Sequence, residues 1–166
     1  GSALTLGNSI SFYGAGQNNT INVDGNIQVG NNASFNKIGE ISLNNYNLQT
    51  TFNSATFNDT SILINYGQEI TIDSSSFNDC FMAYFYHCDA NLSNTDFNST
   101  GVDFYNPWEE LTYRATIDDC MFTNSIFNSI SAIKIMSYGE FYIEDNEITG
   151  FDAGTQKAIE LWYSGQ

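Results

Sequence analysis

The stretch from Ile62 to Phe122 states one hydrophobic phrase three times, and that repeat limits the possible folds more than any other feature of the chain. The phrase is a pair of apolar residues spaced by two, a second such pair, then a phenylalanine. It reads Ile62 and Ile64, Ile70 and Ile72, Phe77; then Met82 and Tyr84, Ala90 and Leu92, Phe97; then Val102 and Phe104, Ala115 and Ile117, Phe122. A spacing of two is the period of a strand that turns alternate side chains to one side. A beat of roughly twenty residues built from three short strands is one coil of a solenoid, each coil pairing with the coils above and below it. The expected fold is all-β: a single-stranded right-handed parallel β-helix with three short strands per coil, its hand following from the handedness of parallel crossovers. We name the three sheets first, second and third in the order of the phrase.

The phrase extends in both directions. Leu4 and Leu6, then Ile10 and Phe12, form an incomplete opening coil. Ile21 and Val23, Ile27 and Val29, and Phe35 form the next, followed by Ile41 and Leu43, Thr50 and Phe52, and Phe57. Beyond the central repeats come Ile133 and Ile135, Phe141 and Ile143, and Ile148, with a further start at Ile159 and Leu161. That predicts about seven coils in one domain over residues 1–166, Gly1 and Ser2 reading as a cloning remnant. A coil left open presents a row of unpaired backbone groups. The chain is therefore expected to be a piece of a longer solenoid, or to meet further coils or another chain end to end. Ser54, Ser74, Asn94, Asp119 and Asp145 each follow the second strand at the same offset. Small polar residues stacked there are expected to hold a turn, because they tolerate left-handed backbone.

Composition narrows the function. Nineteen acids stand against four bases, Lys37, Arg114, Lys134 and Lys157, for a net charge of −15. Phosphate binding needs clustered Lys and Arg, so nucleic acid and anionic membrane surfaces are not expected partners. No apolar run is long enough to span a bilayer, so no membrane insertion is expected. An acidic, Asn-rich surface suits an extracellular, cell-surface protein and attracts cations, Ca²⁺ above all. Of the three cysteines, Cys80 and Cys120 fall two coils and roughly 10 Å apart, beyond disulfide reach. A bond between Cys80 and Cys88 across one coil stays open, beside the plainer reading of small buried thiols. Sequons at Asn18, Asn32, Asn58, Asn91 and Asn98 agree with export.

The phrases "ISFYGAGQNNTINVDGN", "ITIDSSSFNDC" and "ATIDDCMFTNS" resemble the right-handed β-helix segments of the pectin-lyase-like superfamily. In style they are similar to the Asn-rich adhesin-like surface proteins of methanogenic archaea and some gut bacteria. The resemblance covers nearly the whole chain. It implies an exported, often very long surface protein that binds cells or glycans, and it brings no shared catalytic motif.

Polygalacturonases on this fold carry Asn-Thr-Asp followed about a coil later by Asp-Asp-Cys, and this chain has Asn94-Thr95-Asp96 and Asp118-Asp119-Cys120. Both fall at the turn between the second and third sheets, where every coil is polar. The Gly-His-Gly and Arg-Ile-Lys motifs of that family are missing, since the only histidine is His87 in "YFYHCD". His87 beside Cys88 falls short of a zinc ligand set, so a turn histidine is expected. Lyases of this fold use Ca²⁺ held by several carboxylates, and no coil here offers three clustered acids. No metal site and no cofactor is therefore expected, Ca²⁺ being the one candidate cation.

A ligand surface is expected on the outward face of the first sheet. Alternation gives one outward column of Asn22, Ser42, Leu63, Ala83, Asp103, Lys134 and Glu160, and a second of Asp24, Asn44, Asn65, Phe85, Tyr105, Met136 and Trp162. Towards the C-terminal end this face turns aromatic and charged. Insertions at 105–114 and 123–131 fall beside it, on what in repeat proteins is usually the binding side. The candidate ligand-binding residues are Phe85, Asp103, Tyr105, Trp108, Lys134, Glu160 and Trp162, with no catalytic residue assigned. Rings stacking on sugars, with carboxylates taking their hydroxyls, is the chemistry such a surface offers. The leading reading is a non-enzymatic adhesin-like segment that binds a glycan or a protein partner. The alternatives are a fragment of a carbohydrate-active enzyme, lyase or hydrolase, working through Asp103, Lys134 and Glu160, and a structural stalk with no ligand.

Overall fold

The computed structural model of the 166-residue chain describes residues 3–23, 26–44, 49–65, 69–106, 113–123, 131–151 and 157–162. The strands are β1 (Ala3–Leu6), β2 (Ser11–Val23), β3 (Asn26–Val29), β4 (Ser34–Asn44), β5 (Gln49–Asn53), β6 (Thr56–Asn58), β7 (Ser61–Asn65), β8 (Glu69–Asp73) and β9 (Ser76–Tyr86). They continue with β10 (Asp89–Ser93), β11 (Asp96–Asn106), β12 (Tyr113–Asp118), β13 (Met121–Thr123), β14 (Ile133–Ser137), β15 (Gly139–Glu144), β16 (Glu147–Thr149) and β17 (Ile159–Trp162). Among the described residues there is no helix. Every strand pairing is parallel. The chain is a parallel β-solenoid.

The second sheet stacks β1, β3, β5, β8, β10, β12 and β15 in that order. The expected third and first sheets are joined, because β2, β4, β9 and β11 bend round the corner as continuous strands, giving one ten-stranded ladder. Coils at those levels therefore have two long arms rather than three separate short strands. The solenoid has about five turns, against the seven coils the phrase predicts. The stretches 24–25, 45–48, 66–68, 107–112, 124–130 and 152–156 between its strands lie outside the described residues.

The interior is built from columns of like side chains. Phe12, Phe35, Phe57, Phe77, Phe97 and Phe122 stack ring on ring, with centroids 5.1, 5.1, 4.4, 5.0 and 4.7 Å apart. Those steps follow the strand spacing of about 4.8 Å, so the backbone ladder sets the ring stack. Burying each ring contributes roughly 2–3 kcal/mol.

Corners close the coils with left-handed residues. Ser54, Ser74, Asn94, Asp119 and Asp145 all have φ between 47° and 54°, as the turn reading expects. A second left-handed column, Lys37, Asp59, Asp79 and Ser99, turns the third sheet into the first. The residue after each of these points inward. There Thr60 donates to the Asn58 carbonyl at 2.9 Å, Cys80 to the Asn78 carbonyl at 3.3 Å and Thr100 to the Asn98 carbonyl at 3.0 Å. Cys80 thus occupies a threonine position. Cys80, Cys88 and Cys120 are all free and buried, so the open Cys80 to Cys88 bond is not formed. Burial pushes the Cys80 and Cys120 thiols up to about 11 and raises Cys88 as well.

One register differs from expectation, and it is the one that builds the outer face. β9 and β11 run in step through Asn98 and Asn78, slip, and resume with Thr100 opposite Phe81, so β9 carries an extra residue at its corner. Beyond the slip Ala83 stands opposite Ile62 and Phe85 opposite Ile64. Met82 and Tyr84 were expected to point inward and Ala83 and Phe85 outward; from Ala83 onward the reverse holds, because a slip of one residue flips each side chain. Polarity explains the outcome. Tyr84 inside would bury a hydroxyl among apolar columns, whereas Phe85 inside stacks on Phe104 at 5.0 Å with no polar group to satisfy. Gly101 lies opposite Met82 at this corner, where a side chain would collide with the Ser131 carbonyl.

Candidate functional site

The bulge in β9 decides which side chains face solvent on the first sheet. The first outward column runs Tyr84, Asp103, Lys134, Glu160, one residue per level. The second runs Tyr86, Tyr105, Met136, Trp162. Asp103, Tyr105, Lys134, Glu160 and Trp162 are therefore brought together on one face, as expected. Phe85 is not: it is 1% exposed and belongs to the core, so it is removed as a ligand contact. Trp108 and most of both insertions lie outside the described residues.

Sequence reasoning missed Tyr84 and Tyr86. The spacing from Phe57 to Ile62 and from Phe97 to Val102 is the same, and carrying it from Phe77 selects Met82. The signal that identifies the true register is the triplet Tyr84-Phe85-Tyr86, in which only the middle ring has nothing polar to leave in water. The resulting strip is continuous: Tyr84 and Tyr86 are 5.8 Å apart and Tyr86 and Tyr105 are 5.3 Å apart between ring centroids. Burial raises the Tyr84 phenol and pushes Tyr86 up to about 12, with the Asp103 charge acting in the same direction.

Beside the rings runs a column of charges. Lys134 Nζ donates to Asp103 Oδ2 at 3.2 Å, and Lys157 Nζ to Glu160 Oε1 at 2.7 Å. Ser131 donates to Glu160 Oε2 at 3.0 Å. The Lys157 bond, ahead of the others, holds the Glu160 carboxyl below its usual range. Lys157 also lies 5.9 Å from the Trp162 ring centroid, and Trp162 is 51% exposed. Asp103 is different. It is 6% exposed, and its Oδ1 is the one buried side-chain oxygen or nitrogen among the described residues with no hydrogen-bond partner. Burial raises its carboxyl, and Lys134 offsets part of that rise. An ionised group held this way costs stability, which marks it as a residue whose place packing alone does not explain.

The remaining motifs have structural places. Asn94 and Asp119 of the polygalacturonase-like phrases are left-handed corner residues, and Thr95 and Cys120 are buried just inside them. His87 is buried at the corner after β9 with φ 52°, its Nδ1 3.0 Å from Asn106 Oδ1. A cavity of about 10 Å³ beneath it has room for a single water. Arg114 pairs with Glu140 at 3.0 Å, while Glu109 and Glu110 lie outside the described residues. No group of three or more His, Cys, Asp or Glu able to hold a metal occurs among the described residues.

A larger concavity lies elsewhere. An open groove of about 560 Å³ crosses the second sheet near its N-terminal end, lined by Thr5, Asn8, Gln28, Asn31, Thr51 and Asn53 together with apolar and glycine backbone. It contains neither a ring nor a charge, so we place the candidate site on the flatter aromatic strip, where the chemistry is.

The third sheet carries a feature that was not anticipated. Asn58 donates to Asn36 at 2.7 Å, Asn78 to Asn58 at 2.9 Å and Asn98 to Asn78 at 2.9 Å, forming an amide ladder on the outside of the solenoid. Its sequence signal is the Phe-Asn pair at 35–36, 57–58, 77–78 and 97–98. Two of the sequon asparagines, Asn58 and Asn98, are therefore engaged in the ladder, whereas Asn32 and Asn91 are exposed. The Asn18 side chain lies outside what is described.

Comparison with known proteins adds no relative: no family model, no curated protein and no solved structure matches the chain.

Proposed function

We propose that this chain is a segment of an exported, adhesin-like surface protein of the pectin-lyase-like kind, and that it binds a glycan through the C-terminal half of its first sheet. The observation that carries this reading is the row of Tyr84, Tyr86 and Tyr105 beside the Asp103, Lys134 and Glu160 column. Tyrosine rings present an apolar face to the C–H face of a sugar and keep a hydroxyl for hydrogen bonding, which is how a shallow surface holds a polar, flat ligand. The charges define the class of sugar. Both lysines on this face are already paired with carboxylates, and the whole chain is strongly acidic. A neutral glycan fits, and a polyuronate is repelled.

The test is a glycan array probed with the native chain, with Tyr86→Ala, and with Tyr105→Ala combined with Trp162→Ala. Binding to neutral glycans, reduced at least tenfold in both variants, is the expected result. New reducing ends or unsaturated products would transfer the site to the enzyme reading, and silence across the array would leave a stalk.

A further inference from the structure

All three cysteines are free, so no disulfide ties one coil to the next. Neighbouring coils are held by backbone bonds and packing, and one junction between them departs from the uniform spacing. Between Asn98 and Thr100 the strands β9 and β11 slip by one residue, and beyond the slip side-chain polarity selects the register. Past that point two phenols stand side by side. Tyr86 and Tyr105 are in register on the two strands, with ring centroids 5.3 Å apart and planes tilted by 60°. Both are only partly buried, so they are open to reagents in solution and have room to turn about their side-chain bonds.

We propose that Tyr86 and Tyr105 form an oxidative cross-linking site, their rings joining through the carbons ortho to the hydroxyls to give a dityrosine bridge between neighbouring coils. The oxidant is hydrogen peroxide acting through a haem peroxidase, which takes one electron from each phenol while the phenolic proton goes to water. The two phenoxyl radicals couple carbon to carbon. Each coupled carbon then releases its proton and each oxygen regains one, so both hydroxyls are restored. One C–H bond is lost from each ring, one C–C bond is gained, and one peroxide becomes two waters. Burial pushes the Tyr86 phenol up to about 12, so it enters the reaction protonated.

Tyr84 is the competing partner, its ring 5.8 Å from that of Tyr86. It lies on the same strand, however, so a bond there would tie no coil to another. A bridge from Tyr86 to Tyr105 admits only the observed register. In the register that uniform spacing would give, Phe85 stands beside Tyr105 and Tyr86 is turned inward. Closing the chain between these two positions also restricts the unfolded state, as a cross-link of any chemistry does. The inference does not depend on the glycan reading.

Treating the dilute native chain with hydrogen peroxide and a haem peroxidase tests it, beside Tyr84→Phe, Tyr86→Phe and Tyr105→Phe, which keep the rings and each remove one hydroxyl. The native chain is expected to stay monomeric, to lose the mass of two hydrogens and to gain dityrosine fluorescence. Cleavage before aspartates separates the two rings, because Asp89, Asp96 and Asp103 lie between them, and should leave fragment 79–88 joined to fragment 103–117. Tyr86→Phe and Tyr105→Phe should lose the joined fragment, and Tyr84→Phe should keep it. The bridged native monomer should melt above the Tyr105→Phe protein treated alike. Absence of the bond within the monomer, dityrosine confined to multimers, or a joined fragment that survives Tyr86→Phe or Tyr105→Phe overturns the proposal. A bridged monomer that melts no higher overturns the role of the bridge in holding the coils.

Discussion

The outer faces of the third and first sheets are built on the same turns of backbone, yet they use their side chains in opposite ways. The third sheet repeats one residue: Asn36, Asn58, Asn78 and Asn98 each stand one level apart, and each amide from Asn58 to Asn98 donates to the one before it. The first sheet repeats a residue only where Tyr86 stands beside Tyr105. Its two outward columns pass from Tyr84 and Tyr86 to Asp103 and Tyr105, then to Lys134 and Met136, and finally to Glu160 and Trp162. A face that repeats satisfies itself, because the geometry that stacks one pair stacks them all. The face that varies is left with mismatched groups: rings in water, charges paired across levels, and the Asp103 Oδ1 with no partner. The contrast explains why a ligand surface is sought on one face and not on the other.

The sharpest way to break this comparison is at the register that creates it. Phe85→Ala is expected to cost about 3–5 kcal/mol in chemical denaturation, because it opens a cavity next to Phe104. Tyr86→Ala, one residue along, is expected to cost about 1 kcal/mol or less, since its ring is only half covered. Equal costs at the two positions would contradict the assigned faces.

A smaller effect separates the ladder from an ordinary polar surface. Asn78→Ala removes the acceptor of Asn98 and the donor to Asn58, and should destabilise the fold by about 1–2 kcal/mol. No measurable loss would mean that water replaces these bonds freely and that the third face is no more self-satisfied than the first.

The smallest effect has the opposite sign. Burial raises the Asp103 carboxyl in the folded chain, so between its unfolded and folded titration ranges the folded state binds more protons. Stability is therefore lost as pH rises through the folded range, and the ionised group is a net cost at neutral pH. Asp103→Asn stays neutral throughout, so it should match or exceed the native chain at pH 7 by about 1 kcal/mol, with the difference shrinking as pH falls. Thermal melts of the two proteins across pH check this; a less stable Asn variant at pH 7 would show that the Lys134 pair more than repays the burial.

Much of the architecture was legible because solenoids write their period into the sequence. Pairs such as Ile62 and Ile64 or Ile70 and Ile72 recur with the phenylalanine that follows them, and the pairs Ile41/Leu43, Ile62/Ile64, Ile70/Ile72, Ala90/Leu92, Val102/Phe104, Ala115/Ile117 and Ile133/Ile135 are all buried where the phrase puts them. The left-handed corner at Ser54, Ser74, Asn94, Asp119 and Asp145 was legible for the same reason, since only small polar residues recur there. The register of β9 was not. Uniform spacing and side-chain polarity point to answers one residue apart, and the spacing argument placed Phe85 outside. Nor does periodicity say that a corner is passed without a break, as β2, β4, β9 and β11 do. For the site, alternation located Asp103, Tyr105, Lys134, Glu160 and Trp162 on a common face, but a pattern read one chain position at a time could not show that Asp103 is buried beneath its neighbours. Its cross-strand neighbour is Tyr84, which stands outward only because of the bulge.

Cysteine accessibility through this segment tests the central claim most directly. Tyr84→Cys, Phe85→Cys and Tyr86→Cys, each labelled with a maleimide near neutral pH, report which side chains reach solvent. The native thiols give little background, since all three are buried and Cys80 and Cys120 are held up to about 11. Fast labelling at 84 and 86 with protection at 85 is the predicted result. Fast labelling at 85 with protection at 84 and 86 would contradict it and remove the aromatic strip from the outer face.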